Sequence, residues 1–324
     1  MSDIKNGELL FVKSVKDGIP NRDPLRDSDA RRIFGEEDGR ISLSDVSLKR
    51  DVRDYVLKRF SEPSSDPDNR YYVFVREERT ADGKLLGREN LAKGIISEAG
   101  REGESDQVKA LLDTAFDARV FGIVYSVKKT SFHQTGPVQF GWAHSLHPVE
   151  SKYVQGTVIM PSQESGDTAT EGKTQGTIWT TYIVPFAVFA MPGVINSSIA
   201  KDTGMDQKDV EVLLEALWKG TQYRQARGRG IQQPLFLVHA EYSDPFFRIG
   251  YLEEFIELKP SGREEWLGPN PPSSLAEVTL DVTRLGEVLS PKGQFGDRIA
   301  RIRYWVNPEL KVEGEIPGER QEIW

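Results

Sequence analysis

Residues 206–220, DQKDVEVLLEALWKG, carry the most regular pattern in the chain. Four apolar residues in it recur at the spacing of one helix face: Val210, Leu213, Leu214 and Leu217. Asp206 precedes the pattern where an N-cap residue is preferred, and Gly220 follows its last residue. The stretch therefore predicts an α-helix over 206–219 that ends at Gly220.

Segments rich in aromatic and β-branched residues lie on both sides of this helix and predict strands at 178–190 and 234–242. A second helix is predicted at 48–60. Further strands are predicted over these segments: 8–15, 70–77, 116–127, 154–160, 278–282 and 298–306. Along the chain, the order is strand, helix, strand, a long strand-rich excursion, helix and strand. Without that excursion the order is β-α-β-β-α-β, which is the ferredoxin-like plan that RNA-recognition modules also use. The predicted fold class is α+β.

A long polar segment interrupts the second half of this pattern. Residues 161–177, PSQESGDTATEGKTQGT, contain almost no apolar side chain, and strands are predicted on both sides. We expect this segment to be the tip of a long hairpin. The stretch GDTATEGKT at 166–174 has five residues between its glycines, one more than a phosphate-binding P-loop, and follows no convincing buried strand. Residues 259–274, rich in Pro and Gly, predict a surface linker.

Composition excludes several classes of site. The chain has 324 residues and no cysteine, so it has no disulfide framework, thiolate metal site or cysteine nucleophile. The N-terminal residues do not resemble a signal peptide, and the apolar run at 183–194 is too short to span a bilayer. We therefore expect a cytoplasmic protein that binds no membrane, metal or cofactor.

The net charge is −8, but two stretches of the chain are locally basic. No acidic residue occurs between Arg119 and Val149 or between Lys219 and Gly230. The helix at 48–60 carries basic residues near its start, against the helix dipole: Lys49, Arg50 and Arg53. A bound phosphate would relieve this conflict, and the alternative is an ordinary solvated face whose charge Asp51 and Asp54 moderate.

The turn-rich strip 135–148, TGPVQFGWAHSLHP, contains two large aromatic residues, Phe140 and Trp142. Aromatic side chains in such a loop either anchor it to the core or offer surfaces on which nucleotide bases stack. His144 and His147 are three residues apart, but Pro148 and the loop context argue against a shared metal site.

Four motifs carry a family resemblance. They are Leu48-Lys49-Arg50 with Arg53-Asp54-Tyr55, FDARVFG at 116–122, GPVQFGW at 136–142 continuing to SLHP at 145–148, and EVLLEALWKG at 211–220. In this order they resemble the RAMP-type backbone subunit of type I CRISPR surveillance complexes (Cascade), and subtype I-B is the closest fit. The resemblance runs from about Leu9 to about Leu258.

This resemblance implies a modified RRM-like palm over 1–258, with an inserted finger at about 61–115 and a β-hairpin thumb at about 151–182. Strands within 259–324 would complete or flank the palm. Such subunits form a helical filament along the CRISPR RNA, and their thumbs separate guide bases at regular intervals. The implied partners are the CRISPR RNA, the target DNA strand paired to it, further copies of the chain, the large subunit and the 5′-end cap subunit. No enzymatic activity is implied.

The resemblance, with the charge and aromatic patterns, also implies a set of RNA-binding residues. Met160 would be the apolar wedge of the thumb, and cationic residues would hold phosphates. The full set is Asn21, Lys49, Arg50, Arg53, Lys128, Gln139, Phe140, Trp142, His144, Met160, Arg227 and Arg229.

The sequence leaves two other functions open. Related subunits of type III complexes cleave target RNA with a metal ion and an aspartate near the first loop, a position that Asp23 or Asp45 could occupy. The alternative roles are a turn for Asp23 and helix capping for Asp45. A module that binds only proteins is the third possibility, and the type I resemblance favours the RNA scaffold.

Overall fold

The computed structural model describes residues 4–26, 29–35, 37–127, 130–158, 177–262 and 271–324. The helices are α1 (Asp45–Arg59), α2 (Arg88–Glu98), α3 (Gln107–Thr114), α4 (Phe116–Phe121), α5 (Ser197–Thr203), α6 (Gln207–Tyr223) and α7 (Thr283–Val288). The strands are β1 (Asn6–Gly18), β2 (Ser42–Leu43), β3 (Gly122–Val127), β4 (Thr130–Thr135), β5 (Val138–Phe140), β6 (Ala143–Ser145), β7 (Lys152–Val158), β8 (Thr177–Ile195), β9 (Ile231–Tyr242), β10 (Glu257–Pro260), β11 (Val278–Asp281), β12 (Ile299–Val306), β13 (Lys311–Glu313) and β14 (Glu319–Arg320).

Within the described residues, the main sheet has nine strands in the order β14-β12-β9-β1-β8-β6-β2, and β5 and β7 also pair with β8. Strand β1 runs antiparallel to both β8 and β9. Its residues alternate between two apolar layers: Leu9 and Phe11 belong to one, and Leu10 and Val12 to the other. The strand is therefore buried on both faces, which accounts for its nearly continuous apolar sequence.

Helices α1 and α6 pack on one face of this sheet. Their apolar stripes share a core with Leu9 and Phe11, while the opposite face packs against the C-terminal part of the chain, including α7 and the small sheet β10-β11-β13. The mixed α+β class and the predicted central elements are confirmed.

The N-terminus of α6 is capped as predicted. The Asp206 side chain accepts a hydrogen bond from the Asp209 N–H, and the Asp209 carboxylate accepts one from the Asp206 N–H. The prediction that the helix ends at Gly220 is wrong, because α6 continues to Tyr223. Gly220 instead allows α1 to approach closely: a Cβ there would lie 2.4 Å from the carbonyl oxygen of Asp51.

Two predicted strands are corrected. Residues 70–77 form an irregular segment in which Tyr72 makes an isolated bridge to Ala115. The N–H groups of Phe74 and Val75 donate to the carboxylate of Asp117, so a side chain takes the place of a strand partner. The predicted strand at 116–127 is half helical, because its first six residues form α4.

Gly122 ends α4 and starts β3. Its φ of +90° is a backbone conformation that favours glycine, and a Cβ there would lie 2.4 Å from the carbonyl oxygen of Gln134. Helices α2 and α3, which the sequence did not indicate, form a separate small core with α4 and β3.

The predicted hairpin is present as far as the structure describes it. Strands β7 and β8 pair antiparallel, with Tyr153 opposite Tyr182. Residues 159–176, which hold most of the predicted tip, lie outside the described residues. The predicted linker begins within β10, and 263–270 lie outside the described residues. Among the helices that the structure describes, none is both long enough and apolar enough to cross a bilayer.

Candidate nucleic-acid interface

The helix motif and the turn-rich strip meet in space. The Lys49 ammonium on α1 donates to the Gln139 side-chain oxygen on β5 over 3.1 Å. The amide nitrogen of Gln139 donates in turn to the carbonyl oxygens of Phe121 and Gly136, at 3.2 and 3.0 Å. Two stretches 90 residues apart are thus joined through one half-buried glutamine.

Each of the three α1 cations has a carboxylate partner. Lys49 pairs with Asp45 at 2.9 Å, and Arg50 with Asp54 at 2.7 Å, both with i,i+4 spacing. Arg53 pairs with Asp117 at 2.7 Å. The start of α1 is therefore not the unbalanced basic surface that its sequence suggested, and of the three side chains Arg50 is the most exposed, at 41%.

Arg53 lies largely beneath the surface. Asp117 accepts its Nε–H together with the N–H groups of Phe74 and Val75, so this carboxylate joins α1, α4 and the 74–75 segment. The Arg53 guanidinium also lies 5.4 Å from the ring centroid of Phe121. The predicted contact of Arg53 with phosphate stays a prediction, and its observed contacts are those of a residue that supports the surface.

The two aromatic residues of the strip take different positions. Phe140 is buried, with its ring 6.5 Å from that of Phe121, and it anchors the strip to the core. Trp142 is 37% exposed, and the Arg31 guanidinium lies 5.6 Å from its ring centroid. An exposed indole beside a guanidinium offers a stacking surface for an unpaired base.

The two histidines of the strip are not arranged around a metal site. His144 Nδ1 lies 3.1 Å from the Ser42 hydroxyl, and burial together with the Arg40 charge lowers the pKa of His144. Burial also lowers the pKa of His147, whose Nδ1 lies 2.9 Å from the carbonyl oxygen of Pro148. In the described ranges, no three His, Cys, Asp or Glu side chains are grouped as metal ligands.

A second group of cations surrounds Asp51, whose side chain is fully buried. Its carboxylate accepts hydrogen bonds from Lys13 at 3.0 Å, Arg224 at 3.0 Å and Arg229 at 2.7 Å. Burial lowers the pKa of both Lys13 and Arg229, against the opposing effect of Asp51. The sequence identified Arg229 as a candidate and indicated Asp51 only as a residue that moderates a solvated face. It did not single out Lys13 or Arg224, although a lysine inside an apolar strand was a usable signal.

The first loop links this cluster to the hairpin. The Ile19 N–H donates to the carbonyl oxygen of Gly228 over 2.9 Å, and Arg22 Nη2 donates to the Thr181 hydroxyl on β8 over 3.1 Å. Between them, the half-buried Asn21 has a side-chain nitrogen without a hydrogen-bond partner in the described structure. Arg227 is exposed on the neighbouring loop.

The remaining candidates are Lys128, Met160, Asp23 and Asp45. Lys128 and Met160 lie outside the described residues. The Asp23 carboxylate accepts the Leu25 N–H at 3.0 Å, which is turn geometry. Asp45 does not cap α1, because Ser44 occupies the N-cap position and Asp45 lies in the first turn, paired with Lys49.

Comparisons with known proteins give a consistent result. Residues 5–283 match the family of CRISPR-associated protein Cas7. The whole chain aligns at 26% identity with the CRISPR-associated protein Cas7 of Haloferax volcanii, covering 94% of that protein. A chain of a CRISPR RNA-guided surveillance complex, solved in a pre-nicking state, superposes with a TM-score of 0.56 at 13% identity, covering 98% of this chain and 96% of the other. The last similarity is one of fold.

Proposed function

Because the chain belongs to the CRISPR-associated Cas7 family, we propose that it is the guide-binding backbone subunit of a Cascade surveillance complex. It coats a single-stranded CRISPR RNA in several copies in the cytoplasm and takes part in antiviral defence. The observation that carries this proposal is the contact between Lys49 and Gln139, which brings the helix motif and the aromatic strip into one surface.

The chemistry of this surface suits a phosphate backbone with unpaired bases. Arg50 and Arg227 offer solvent-accessible guanidinium groups, and Trp142 offers a stacking surface. Asn21, whose side-chain nitrogen is buried and has no hydrogen-bond partner in the described structure, is a further proposed contact. Such contacts bind RNA through phosphate and shape with little sequence preference, so that base pairing alone reads the target. The half-buried Lys49 and the buried residues Arg53, Phe140 and Arg229 would support this surface from below, and Gln139 and His144 would line it.

The architecture supports a division into palm, finger and thumb. The order β9-β1-β8-β6, with α1 and α6 on one face, supports an RRM-like palm, which we propose to lie within residues 1–258. The proposed finger at about 61–115 contributes helices α2 and α3 to the separate small core that they share with α4 and β3. The β7–β8 hairpin, within about 151–182, would be the thumb, with Met160 as its wedge and Lys128 as a further RNA contact. Residues 259–324 would complete the palm: β12 pairs with β9 in the main sheet, and the small sheet packs on the face opposite α1 and α6.

We further propose that the chain is a scaffold without catalytic activity of its own, closest to subtype I-B. Its partners would be the CRISPR RNA, the paired target DNA strand, further copies of itself, the large subunit and the 5′-end cap subunit. The turn role of Asp23 and the ion pair of Asp45 support this proposal over RNA cleavage.

Purification of the full chain with and without a single-stranded RNA tests the proposal. We expect a 260/280 nm absorbance ratio typical of nucleoprotein, and an RNA affinity that falls steeply with salt. Replacing Lys49, Arg50 and Arg53 together with alanine should weaken binding equally for all sequences. A monomer that purifies free of nucleic acid and binds no added RNA would contradict the scaffold. Regular cleavage of a complementary RNA with Mg²⁺, abolished by Asp23→Ala or Asp45→Ala, would favour a nuclease instead.

A further inference from the structure

Asp51 joins the loop after α6 to the middle of α1. Its Oδ1 accepts hydrogen bonds from Arg224 and Arg229, which lie at the start and near the end of this loop, and its Oδ2 accepts one from Lys13 on β1. The carboxylate is fully buried and therefore cannot contact RNA itself. It holds the cations of this loop and of β1 against α1.

The loop of residues 224–230 has a backbone that needs such an anchor. Gly228 and Gly230 have φ angles of +76° and +75°, and glycine gives the unfolded loop the most conformational freedom to lose. Arg229 closes the loop on itself by donating to the carbonyl oxygen of Arg224 over 2.9 Å. The ion pairs with Asp51 then fix this closed loop to α1.

The cluster also retains positive charge. Asp54 pairs with Arg50 at 2.7 Å and lies 3.5 Å from Arg224, so the two aspartates face four cations: Lys13, Arg50, Arg224 and Arg229. Two positive charges in this group are not balanced within it. A polyanion passing over Arg50 and Arg227 would meet a favourable potential from beneath the surface.

We infer that Asp51 is a positioning residue of the guide site. By holding the 224–230 loop against α1, it sets the exposed Arg227 and Arg50 side by side for consecutive phosphates of one RNA strand. The inference rests on the proposed function, and it assigns to an acidic, buried side chain a role in binding an anion.

The test compares two buried members of the same cluster. Asp51→Asn keeps the shape of the side chain but removes the charge that holds both arginines, whereas Lys13→Met removes a cation that does not belong to the loop. We expect Asp51→Asn to weaken binding of a fluorescein-labelled single-stranded RNA by about tenfold or more. It should also lower the slope of log Kd against log salt by roughly 0.7 for each phosphate that the loop no longer binds. Lys13→Met keeps both ion pairs of the loop, so we expect it to weaken binding by less than Asp51→Asn and to keep the wild-type salt slope. An equal loss of affinity and of salt slope in the two variants would overturn the inference.

The outcomes separate this inference from the proposed function. If the wild-type chain binds no RNA, the proposed function fails; if it binds and folded Asp51→Asn keeps the wild-type affinity and salt slope, only the inference fails. Should Asp51→Asn not fold, the double variant Lys13→Met/Asp51→Asn removes the unpaired ammonium as well and is measured instead. Loss of folding in that variant too would assign Asp51 to the fold as a whole and overturn the inference.

Discussion

Arg119 on α4 and Asp209 on α6 form a two-point ion pair in which neither side chain is exposed. Arg119 Nε lies 2.9 Å from Oδ2 of Asp209, and its Nη2 lies 2.7 Å from Oδ1. The guanidinium also donates to the carbonyl oxygens of Leu112 and Arg70, at 2.7 and 3.0 Å. One side chain therefore holds the irregular segment 70–77 and the end of α3 against α6.

Replacing Arg119 with methionine should strongly destabilise the fold. The change leaves the Asp209 carboxylate buried without this partner, and breaking a buried pair in this way costs about 3–5 kcal/mol. Urea denaturation followed by circular dichroism measures the free energy of unfolding. Lys93→Ala is the control, because its exposed i,i+4 pair with Glu89 contributes about 0.5 kcal/mol or less. A cost below that of the control would contradict the role assigned to Arg119.

His239 should make stability depend on pH. Burial, aided by the charges of Arg303 and Arg301, lowers the pKa of His239 from 6.5 to about 3. A histidine with a lowered folded-state pKa contributes stability that is fully present above pH 6.5 and is lost as the pH falls towards 3. Between pH 7 and pH 5 this one group accounts for about 2 kcal/mol of the loss.

Urea denaturation of wild type and His239→Gln at pH 7 and pH 5 measures this contribution. We expect the variant to lose less unfolding free energy over that interval, by about 2 kcal/mol. His144 and His147 remain in the variant, and their lowered pKa values still make its stability fall as the pH falls. His133→Gln, which replaces an exposed histidine, is the matched control. If wild type and His239→Gln lose equal unfolding free energy between pH 7 and pH 5, His239 is not buried as a neutral ring.

The sequence predicts elements whose cause is local and misses those whose cause is distant. The strand β1, the helix α1 and the helix α6 follow from apolar periodicity, and the Asp206 cap follows from a side chain three residues from its partner. Residues 116–121 are helical although their composition favours a strand, because Gly122 ends the segment and Arg119 pairs with a carboxylate 90 residues away.

The same distinction applies to the candidate site. The pairing of Lys49 with Asp45 and of Arg50 with Asp54 was visible at i,i+4 spacing, so the apparent excess of charge could have been discounted from the sequence. The partner of Arg53 lies 64 residues away, and nothing in local spacing indicates it. Arg229 and its partner Asp51 are 178 residues apart and could be joined only by the fold.

Replacing Tyr242 with phenylalanine should destabilise the C-terminal side of the sheet without changing RNA affinity. The Tyr242 hydroxyl donates to the buried Glu8 carboxylate over 2.6 Å. In the variant, Glu8 would still accept hydrogen bonds from the N–H groups of Ile249 and Gly250. Loss of one hydrogen bond to a buried charged group costs about 1.5–3 kcal/mol, measured by urea denaturation. Tyr251→Phe, at an exposed position, should be nearly neutral. A neutral Tyr242→Phe would mean that the hydroxyl does not stabilise Glu8.

Replacing Trp142 with alanine should weaken RNA binding by about 1–3 kcal/mol, because one stacked base loses its aromatic partner. Trp142→Phe should recover part of this loss. Fluorescence anisotropy with a labelled single-stranded RNA measures both variants. Trp324→Ala is the matched control, since Trp324 is similarly exposed but stacks on Trp305 at the C-terminus. Equal affinities for Trp142→Ala and Trp324→Ala would remove Trp142 from the interface.

A cryo-EM reconstruction of the chain assembled on a single-stranded guide would locate the RNA on each copy. We expect a continuous RNA backbone that passes Arg50 on α1, Trp142 on the aromatic strip and Arg227 on the loop after α6, in each copy of the chain. Density for nucleic acid on another face, with these three side chains in open solvent, would contradict it.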